Sequence, residues 1–142
     1  MLIPESLAFD APGSFWYDAA GGIEMRYEWL DAELLRKPGA VKDFKAEWQW
    51  VRYMVGGKMF AATLTDGEGC AVVSLKLEPL EGEFLRGQYP DIAPGYYMNK
   101  QHWNSIRFDG EVPDDLLREL TEKSYQLVLK GLSKKQREAL DI

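Results

Sequence analysis

The fold of this chain is decided by residues 47–77, which read EWQWVRYMVGGKMFAATLTDGEGCAVVSLKL. Three strand-like segments rich in apolar and β-branched residues follow one another in it: Glu47–Val55, Lys58–Leu64 and Ala71–Leu77. Gly56-Gly57 predicts a two-residue hairpin turn between the first two segments, because glycine tolerates the positive φ angles required there. Residues 66–69, Asp-Gly-Glu-Gly, predict a second turn. The stretch therefore predicts a three-stranded antiparallel meander.

Helices are predicted before and directly after the meander. The first begins at Ile23 and ends at Lys37-Pro38-Gly39, where proline cannot continue a helix and glycine suits its end. The second runs from Pro79 to about Gln88, with proline in its first turn. Three apolar side chains of this second helix are predicted to face inward: Leu80, Phe84 and Leu85.

The last third of the chain predicts a long helix followed by a short one. Pro113 and two aspartates open the long helix, where carboxylates complement the positive end of the helix dipole, and Gly131 ends it. Ser133 and Gln136 have the spacing of a capping box for the short helix. Before these helices, residues 89–95 predict a loop, and two segments predict short extended structure: Tyr96–Met98 and Ser105–Phe108.

This order of elements predicts an α+β fold in two layers. One antiparallel sheet is covered by helices on one face, and its other face stays partly exposed, in the order α-β-β-β-α-β(β)-α. Residues 1–22 predict an irregular N-terminal arm, because Pro4, Pro12, Gly13, Gly21 and Gly22 interrupt any periodicity. The aromatic residues of the arm nevertheless favour packing on the domain or on a second copy. Residues 23–142 predict a single domain.

Composition and net charge limit the classes of function that we expect for this chain. The net charge of −6 argues against a dominant nucleic-acid role, although a local basic patch can form on an acidic protein. The one cysteine, Cys70, excludes an internal disulfide, and no apolar run approaches the length of a membrane span. We therefore expect a cytoplasmic protein that forms a monomer or a homodimer.

The residues offer no catalytic or metal-binding set. His102 is the only histidine and has no second histidine with which to build general acid–base chemistry. Cys70 has neither a neighbouring base nor a paired cysteine, so it predicts neither a nucleophile nor a zinc ligand. No phosphate-binding loop is present, because Gly56-Gly57-Lys58 leads into a strand. We therefore expect no enzymatic activity, no cofactor and no metal.

Basic, aromatic and amide residues are interleaved around residues 88–106. The combination suits an anionic, planar partner such as nucleic acid, while the alternative interpretation is that the rings form core and the cations are solvated. The basic members are Lys58, Lys76, Arg86, Lys100, His102 and Arg107, and the others are Tyr96, Tyr97, Asn99 and Trp103.

Several of these segments together resemble the MmcQ/YjbR family. The matching segments are Lys37-Pro38-Gly39, residues 55–61 (VGGKMFA), Ser74-Leu75-Lys76 with Pro79, Tyr89-Pro90, Pro94-Gly95-Tyr96, Leu116-Leu117, Ser124-Tyr125, residues 132–140 and, most specifically, Met98-Asn99-Lys100 followed by His102-Trp103-Asn104. The chain departs from the family pattern at Phe44-Lys45-Ala46, where Pro-Phe-Gly is usual, and at Tyr97, where histidine is common. The aromatic arm is not part of that pattern.

The resemblance implies a two-layer fold like that of type III secretion chaperones, also described as CyaY-like, and DNA binding without enzymatic activity. The positions that match the family and would then contact DNA are Lys58, Lys76, Asn99, Lys100, His102 and Trp103. Two alternatives stay open. One is a chaperone-like domain that binds a peptide or protein partner. The other is a small-molecule pocket lined by Trp48, Trp50, Tyr96 and Trp103.

Overall fold

A computed structural model describes residues 27–142, and in them an antiparallel sheet forms one layer and helices form the other. The strands are β1 (Val41–Lys45), β2 (Trp50–Val55), β3 (Lys58–Thr65), β4 (Ala71–Lys76), β5 (Ile92–Pro94) and β6 (Trp103–Arg107). The helices are α1 (Leu30–Leu35), α2 (Pro79–Gln88), α3 (Asp114–Lys130) and α4 (Lys134–Ala139). The strand order is β1-β2-β3-β4-β6-β5. The predicted α+β class is confirmed, while the arm at residues 1–22 and the predicted helix start at Ile23 lie outside the described residues.

The main core lies between the helices and one face of the sheet, which we call the inner face. Helix α3 crosses this face, and its Leu117 and Leu120 are fully buried there. The Ser124 hydroxyl of the same helix donates to the Phe60 carbonyl at 2.6 Å and accepts from the Lys76 backbone N–H at 2.8 Å. These bonds satisfy a backbone acceptor of β3 and a backbone donor of β4, so they fix the helix to the centre of the sheet.

Several local predictions are confirmed. The hairpin between β2 and β3 turns at Gly56 and Gly57, whose φ angles are 59° and 80°. Helix α2 has the predicted bounds, and α4 begins with the predicted capping box, in which Ser133 and Gln136 bond reciprocally. Each of these features depends on residues close together in the sequence, which is why the sequence indicates them.

Strand β1 was not predicted. It pairs antiparallel with β2 at the edge of the sheet, and its side chains are exposed or half-buried. Its charges find partners outside the strand: Arg52 donates two hydrogen bonds to Asp43, and Lys42 lies 2.9 Å from Asp31. An edge strand held by pairing and by charged neighbours has little of the apolar alternation on which prediction depends.

The structure corrects two strand predictions. Residues 47–49, predicted as strand, form a turn, and Gln49 has a φ of 62°. Tyr96–Met98, predicted as extended, are not a strand, and Tyr97 has a φ of 67°. The short strand β5 lies instead in the segment predicted as loop, where Pro94 sits on the sheet edge because proline cannot donate to a ladder.

Only one of the three predicted inward residues of α2 faces the core. Leu85 is buried, whereas Leu80 is 81% exposed and Phe84 is 64% exposed. Gly82 lies against the Asn104 side chain, so the face of α2 that meets the sheet is the one that carries Gly82 and Leu85. Across residues 27–142, no helix is both long and apolar enough to cross a membrane.

Candidate ligand-binding groove on the outer sheet face

The other face of the sheet, which we call the outer face, carries a second and smaller apolar cluster. Its buried members are Trp50, Ala62, Leu64 and Val72, and Met59 and Met98 pack against them. Met98 belongs to residues 95–102, which we call the covering loop because this segment connects β5 to β6 and supplies a side chain to that cluster. The outer face is therefore partly covered by a loop.

Glycine lets the covering loop lie close to β6. The Gly95 N–H donates to the Trp103 carbonyl at 2.7 Å, and the Tyr96 N–H donates to the Ser105 hydroxyl at 3.2 Å. A Cβ atom at position 95 would lie 2.6 Å from Trp103 Cβ, a separation that side chains do not tolerate. The start of the loop is thus fixed by backbone contact that only glycine permits.

Two tyrosines of the covering loop point to different neighbours. Tyr96 reaches the β3–β4 turn, where a Cβ on Gly67 would meet the tyrosine hydroxyl. Tyr97 lies edge-on to Tyr96, with ring centroids 4.2 Å apart, and 6.5 Å from the Trp50 ring. The positive φ of Tyr97 allows this divergence, so it brings the Tyr97 ring toward the tryptophans of β2 and its preceding turn.

The turn between β1 and β2 places two tryptophans together. The backbone N–H groups of Trp48 and Gln49 both donate to the Lys45 carbonyl, at 3.1 and 2.8 Å. The left-handed φ of Gln49 then redirects the chain into β2, and the Trp48 and Trp50 rings lie 4.8 Å apart at an angle of 60°. Aromatic pairs prefer such offset or tilted contacts to a face-to-face sandwich.

A groove of about 690 Å³ lies between this turn and the covering loop, and its size is in the usual range of small-molecule sites. Trp50 forms its buried floor, while Trp48 and Tyr97 are 51% and 66% exposed. Among the described residues that line it, Glu47 is the one with a charge. The described lining consists of Glu47, Trp48, Trp50, Met59, Thr65, Tyr97 and Met98.

Lys45 lies beside this groove. Its Nζ atom is 5.2 Å from the centroid of the Trp48 ring and 3.8 Å from Glu47 Oε2. A cation over an indole face is attracted by the ring quadrupole, and the carboxylate adds a Coulomb attraction. The rim of the groove thus already holds one ammonium group between a ring and a carboxylate.

Backbone strain is concentrated here. Among residues 27–142, three non-glycine residues have positive φ, and two of them, Gln49 and Tyr97, adjoin the groove. Such conformations cost free energy for residues with a side chain, and in proteins they cluster at functional sites. The two strained residues beside the groove therefore support its choice as the candidate functional site.

Two of the predicted DNA-contacting residues hold the covering loop together. Asn99 Oδ1 accepts from the backbone N–H groups of Gln101 and His102, at 2.9 and 3.1 Å, and so closes a turn. Lys100 Nζ donates to the Gly95 carbonyl at 2.9 Å and lies 5.8 Å from the Tyr96 ring. Both side chains are used in the architecture of the loop while remaining exposed.

The other four predicted residues divide between two places. Lys76 and Trp103 are cross-strand partners in the β4–β6 pair, on the outer face, and His102 precedes Trp103 and is half-buried. Lys58 is the partner of Val55, whose side chain belongs to the main core, so alternation puts Lys58 on the opposite face from Lys76. The sheet brings Lys76 and Trp103 together and separates Lys58 from them.

Three arginines have partners within the chain. Arg52 donates two hydrogen bonds to Asp43, and Arg107 does the same to Asp109; through these bonds each guanidinium lowers the pKa of its aspartate. Arg86, on the inner side, donates to Asn104 Oδ1. These pairs reduce the positive potential that the sequence suggested for this region.

The predicted small-molecule pocket is placed differently from the sequence expectation. Trp48 and Trp50 do line the groove, but Tyr96 and Trp103 are not among its described lining residues. Tyr97, Met98 and Met59 line it instead, and the sequence reasoning had not assigned them to it. A Tyr-Tyr-Met run that follows a proline and a glycine was the available signal, but only the folded loop, in which Tyr96 packs on Gly67 and Tyr97 has a positive φ, shows which ring meets Trp50.

One further cluster has ligand-type atoms. Side-chain atoms of Asp66, Glu68 and Cys70 lie within 4.8 Å of one another. Asp66 Oδ1 already accepts from the backbone N–H groups of Glu68 and Cys70, at 2.9 Å each. This is the hydrogen bonding of a tight turn, and it accounts for the cluster without an ion.

The fold and the groove define a two-layer α+β domain with an aromatic depression on the loop-covered face of its sheet. The chain belongs to the YjbR family, whose model matches residues 35–127. It is 33% identical over 106 residues to the uncharacterized protein YjbR of Escherichia coli K12, covering 75% of this chain and 89% of that protein.

Other relatives agree with this membership. The uncharacterized protein YbdF of Escherichia coli O157:H7 is 37% identical over 83 residues, which covers 58% of this chain and 67% of that protein. The crystal structure of Deinococcus radiodurans protein DR2400, with the domain DUF419, is 35% identical and has a TM-score of 0.73, covering 83% of this chain and 89% of that one. A Pseudomonas syringae structure at 22% identity, with a TM-score of 0.64, covers 72% of this chain and 98% of its own and shares the fold.

Proposed function

We propose that this protein is a non-catalytic binding protein that takes a small organic molecule into the groove formed by Trp48, Trp50 and Tyr97. The observation that carries the proposal is the groove itself: about 690 Å³ of open volume between rings that the fold leaves exposed. Large apolar rings are normally buried because exposing them to water costs free energy. Rings held at the mouth of a groove are available to a ligand.

The described groove residues favour binding over catalysis. They include one carboxylate, Glu47, and no histidine or cysteine that would work with it as an acid–base pair or nucleophile, and the Lys45 ammonium beside the groove lies 3.8 Å from Glu47 as its ion-pair partner. Thr65 and Glu47 supply the polar side chains, and the remaining lining is aromatic or thioether. A few polar groups within an apolar site are typical of sites that orient a bound molecule.

A fragment screen by ligand-observed NMR tests the proposal, with tryptophan fluorescence as the second readout. We expect a subset of small aromatic or alkyl fragments to bind, and the variants Trp48→Ala and Tyr97→Ala to lose that binding. Phe84→Ala is the matched control, because Phe84 is also an exposed ring but lies on α2 in the helical layer. Binding that survives in Trp48→Ala and Tyr97→Ala, or no binding by any fragment, contradicts the proposal.

A second candidate is nucleic-acid binding at the end of the outer face that carries Lys76 and Trp103. The pairing of a lysine with an indole across β4 and β6, next to His102, is what favours it. Fluorescence anisotropy with a labelled single strand and a labelled duplex tests it. The affinity should fall as the salt concentration rises, and Lys76→Ala should lower the slope of log affinity against log salt concentration by about one. Absence of binding at low salt contradicts it.

A further inference from the structure

The groove contains the elements of a site for a positively charged ligand. We infer that its ligand is a small quaternary ammonium compound, which takes the place that the Lys45 ammonium occupies between the Trp48 ring and Glu47. This inference rests on the proposed function, since it names the ligand class for the same groove.

The rings suit a cation with an apolar surface. Trp48 and Trp50 meet at 60° and Tyr97 lies 6.5 Å from Trp50, so the three rings form one contiguous aromatic lining of the groove. Aromatic cages of this kind recognise quaternary ammonium groups, because the ring quadrupole attracts the charge while the methyl groups pack on the ring. Met59 and Met98 extend the same surface with polarizable thioethers.

The polar content of the groove separates a quaternary ammonium from a primary one. A primary ammonium has three donors, each of which needs an acceptor. Among the described groove side chains, only Glu47 and Thr65 are polar and without a ring. The Lys45 ammonium meets this requirement at the exposed rim, next to Glu47, whereas a cation without N–H donors can lie against the rings without such acceptors while Glu47 still supplies the opposite charge.

Lys45 shows that this part of the surface accommodates an ammonium. Its Nζ atom is 5.2 Å from the Trp48 ring centroid and 3.8 Å from Glu47. Lys45 is the cross-strand partner of Trp50 at the turn end of β1, and its side chain is one-third exposed, so the ammonium has room to move aside. An external cation at Trp48 competes with Lys45 for the same two groups and is repelled by its charge.

Isothermal titration with choline and with its neutral isostere 3,3-dimethylbutan-1-ol tests the inference. We expect choline to bind about tenfold more tightly than the alcohol, because the two differ only in charge at the branched end. Lys45→Met should raise the affinity for choline several-fold and leave that for the alcohol unchanged. Glu47→Gln should lower the affinity for choline.

Remote variants control for net charge. Lys135→Met and Glu138→Gln change the net charge by the same amounts as Lys45→Met and Glu47→Gln, but they lie on the exposed helix α4. Neither should alter choline binding. Equal affinity for choline and the alcohol overturns the inference of a cationic ligand but leaves the proposed small-molecule function intact. Unchanged or weaker choline binding in Lys45→Met has the same consequence. If neither compound nor any fragment of the screen binds, the proposed function fails as well.

Discussion

The indole rings of Trp48 and Trp50 lie 4.8 Å apart, although one residue, Gln49, separates them in the sequence. In a regular strand, residues two apart share a face but their side chains stand side by side along the strand. Here the left-handed backbone of Gln49 bends the chain between them, and the rings meet at 60°. The aromatic end of the groove therefore depends on a backbone conformation that glutamine does not favour.

The strain at Gln49 predicts opposite effects for two substitutions. Gln49→Gly should stabilise the fold by up to about 1 kcal/mol, because glycine has no Cβ to oppose positive φ, while Gln49→Val should destabilise it by more than about 1 kcal/mol. Urea unfolding followed by circular dichroism measures both. Equal stability of the glycine and valine variants would show that position 49 is not strained.

Substitution of Gly95 is expected to displace the covering loop. Gly95→Ala places a Cβ 2.6 Å from Trp103 Cβ, so the covering loop must shift away from β6, at a cost of about 1–3 kcal/mol. Gly87→Ala is the control: it lies in α2 with nothing within 4 Å of the added atom, and should gain about 0.5–1 kcal/mol of helix stability. Thermal unfolding of both variants checks this. Similar shifts in both would contradict the close approach at Gly95.

Removing the buried hydroxyl of Thr63 and that of Ser124 should change the stability of the fold in opposite directions. In the described chain, Thr63 Oγ1 is the buried side-chain polar atom without a hydrogen-bond partner, so Thr63→Val should stabilise by about 1 kcal/mol. Ser124→Ala removes both bonds of the Ser124 hydroxyl, to Phe60 and from Lys76, and should destabilise by about 1–3 kcal/mol. Denaturant unfolding of each variant gives the comparison. A loss of stability in Thr63→Val would mean that its hydroxyl has a partner.

The Arg52–Asp43 pair predicts part of the acid sensitivity. The two hydrogen bonds from Arg52 lower the pKa of Asp43, so the folded state releases this proton more readily than the unfolded state. Its contribution is present in full above about pH 5 and is lost as the pH falls through the ordinary aspartate range to the lowered pKa. Because the Asp43 side chain is 47% exposed, solvent screening limits the contribution to less than about 1 kcal/mol.

Asp43→Asn tests this pH dependence. The variant should be less stable than the parent at neutral pH, and the difference should shrink as the pH falls through the ordinary aspartate range toward the lowered pKa of Asp43, because the parent then loses the charge as well. Unfolding free energies at several pH values provide the measurement. A difference that is constant with pH would assign the effect to something other than this carboxylate.

Local sequence signals predicted the elements whose ends depend on neighbouring residues. The glycine pair at 56–57, the proline at 79 and the Ser133–Gln136 box each act over a few residues, and each was confirmed. Strand β1 was missed because its partners, such as Arg52 for Asp43, lie on another element. The turn at residues 47–49 was missed because nothing in glutamine indicates a left-handed conformation.

The candidate groove was predicted only in part, for a similar reason. Trp48 and Trp50 were assigned to a pocket together with Tyr96 and Trp103, but the loop ring that lines the groove with them is Tyr97. Whether Tyr96 or Tyr97 joins them is decided by Gly67, against which Tyr96 packs, and by the positive φ of Tyr97. Neither contact can be inferred from spacing along the chain.

Whether the groove binds a quaternary ammonium can be read from the indole N–H signals of the protein in a ¹H–¹⁵N spectrum, with each tryptophan assigned by a Trp→Phe variant. On addition of choline, we expect the signals of Trp48 and Trp50 to shift together and saturate, while those of Trp29 and Trp103 stay in place. The neutral isostere should shift them much less at the same concentration. Choline shifts confined to Trp103, or the absence of any indole shift, would contradict the assignment of the groove as the binding site.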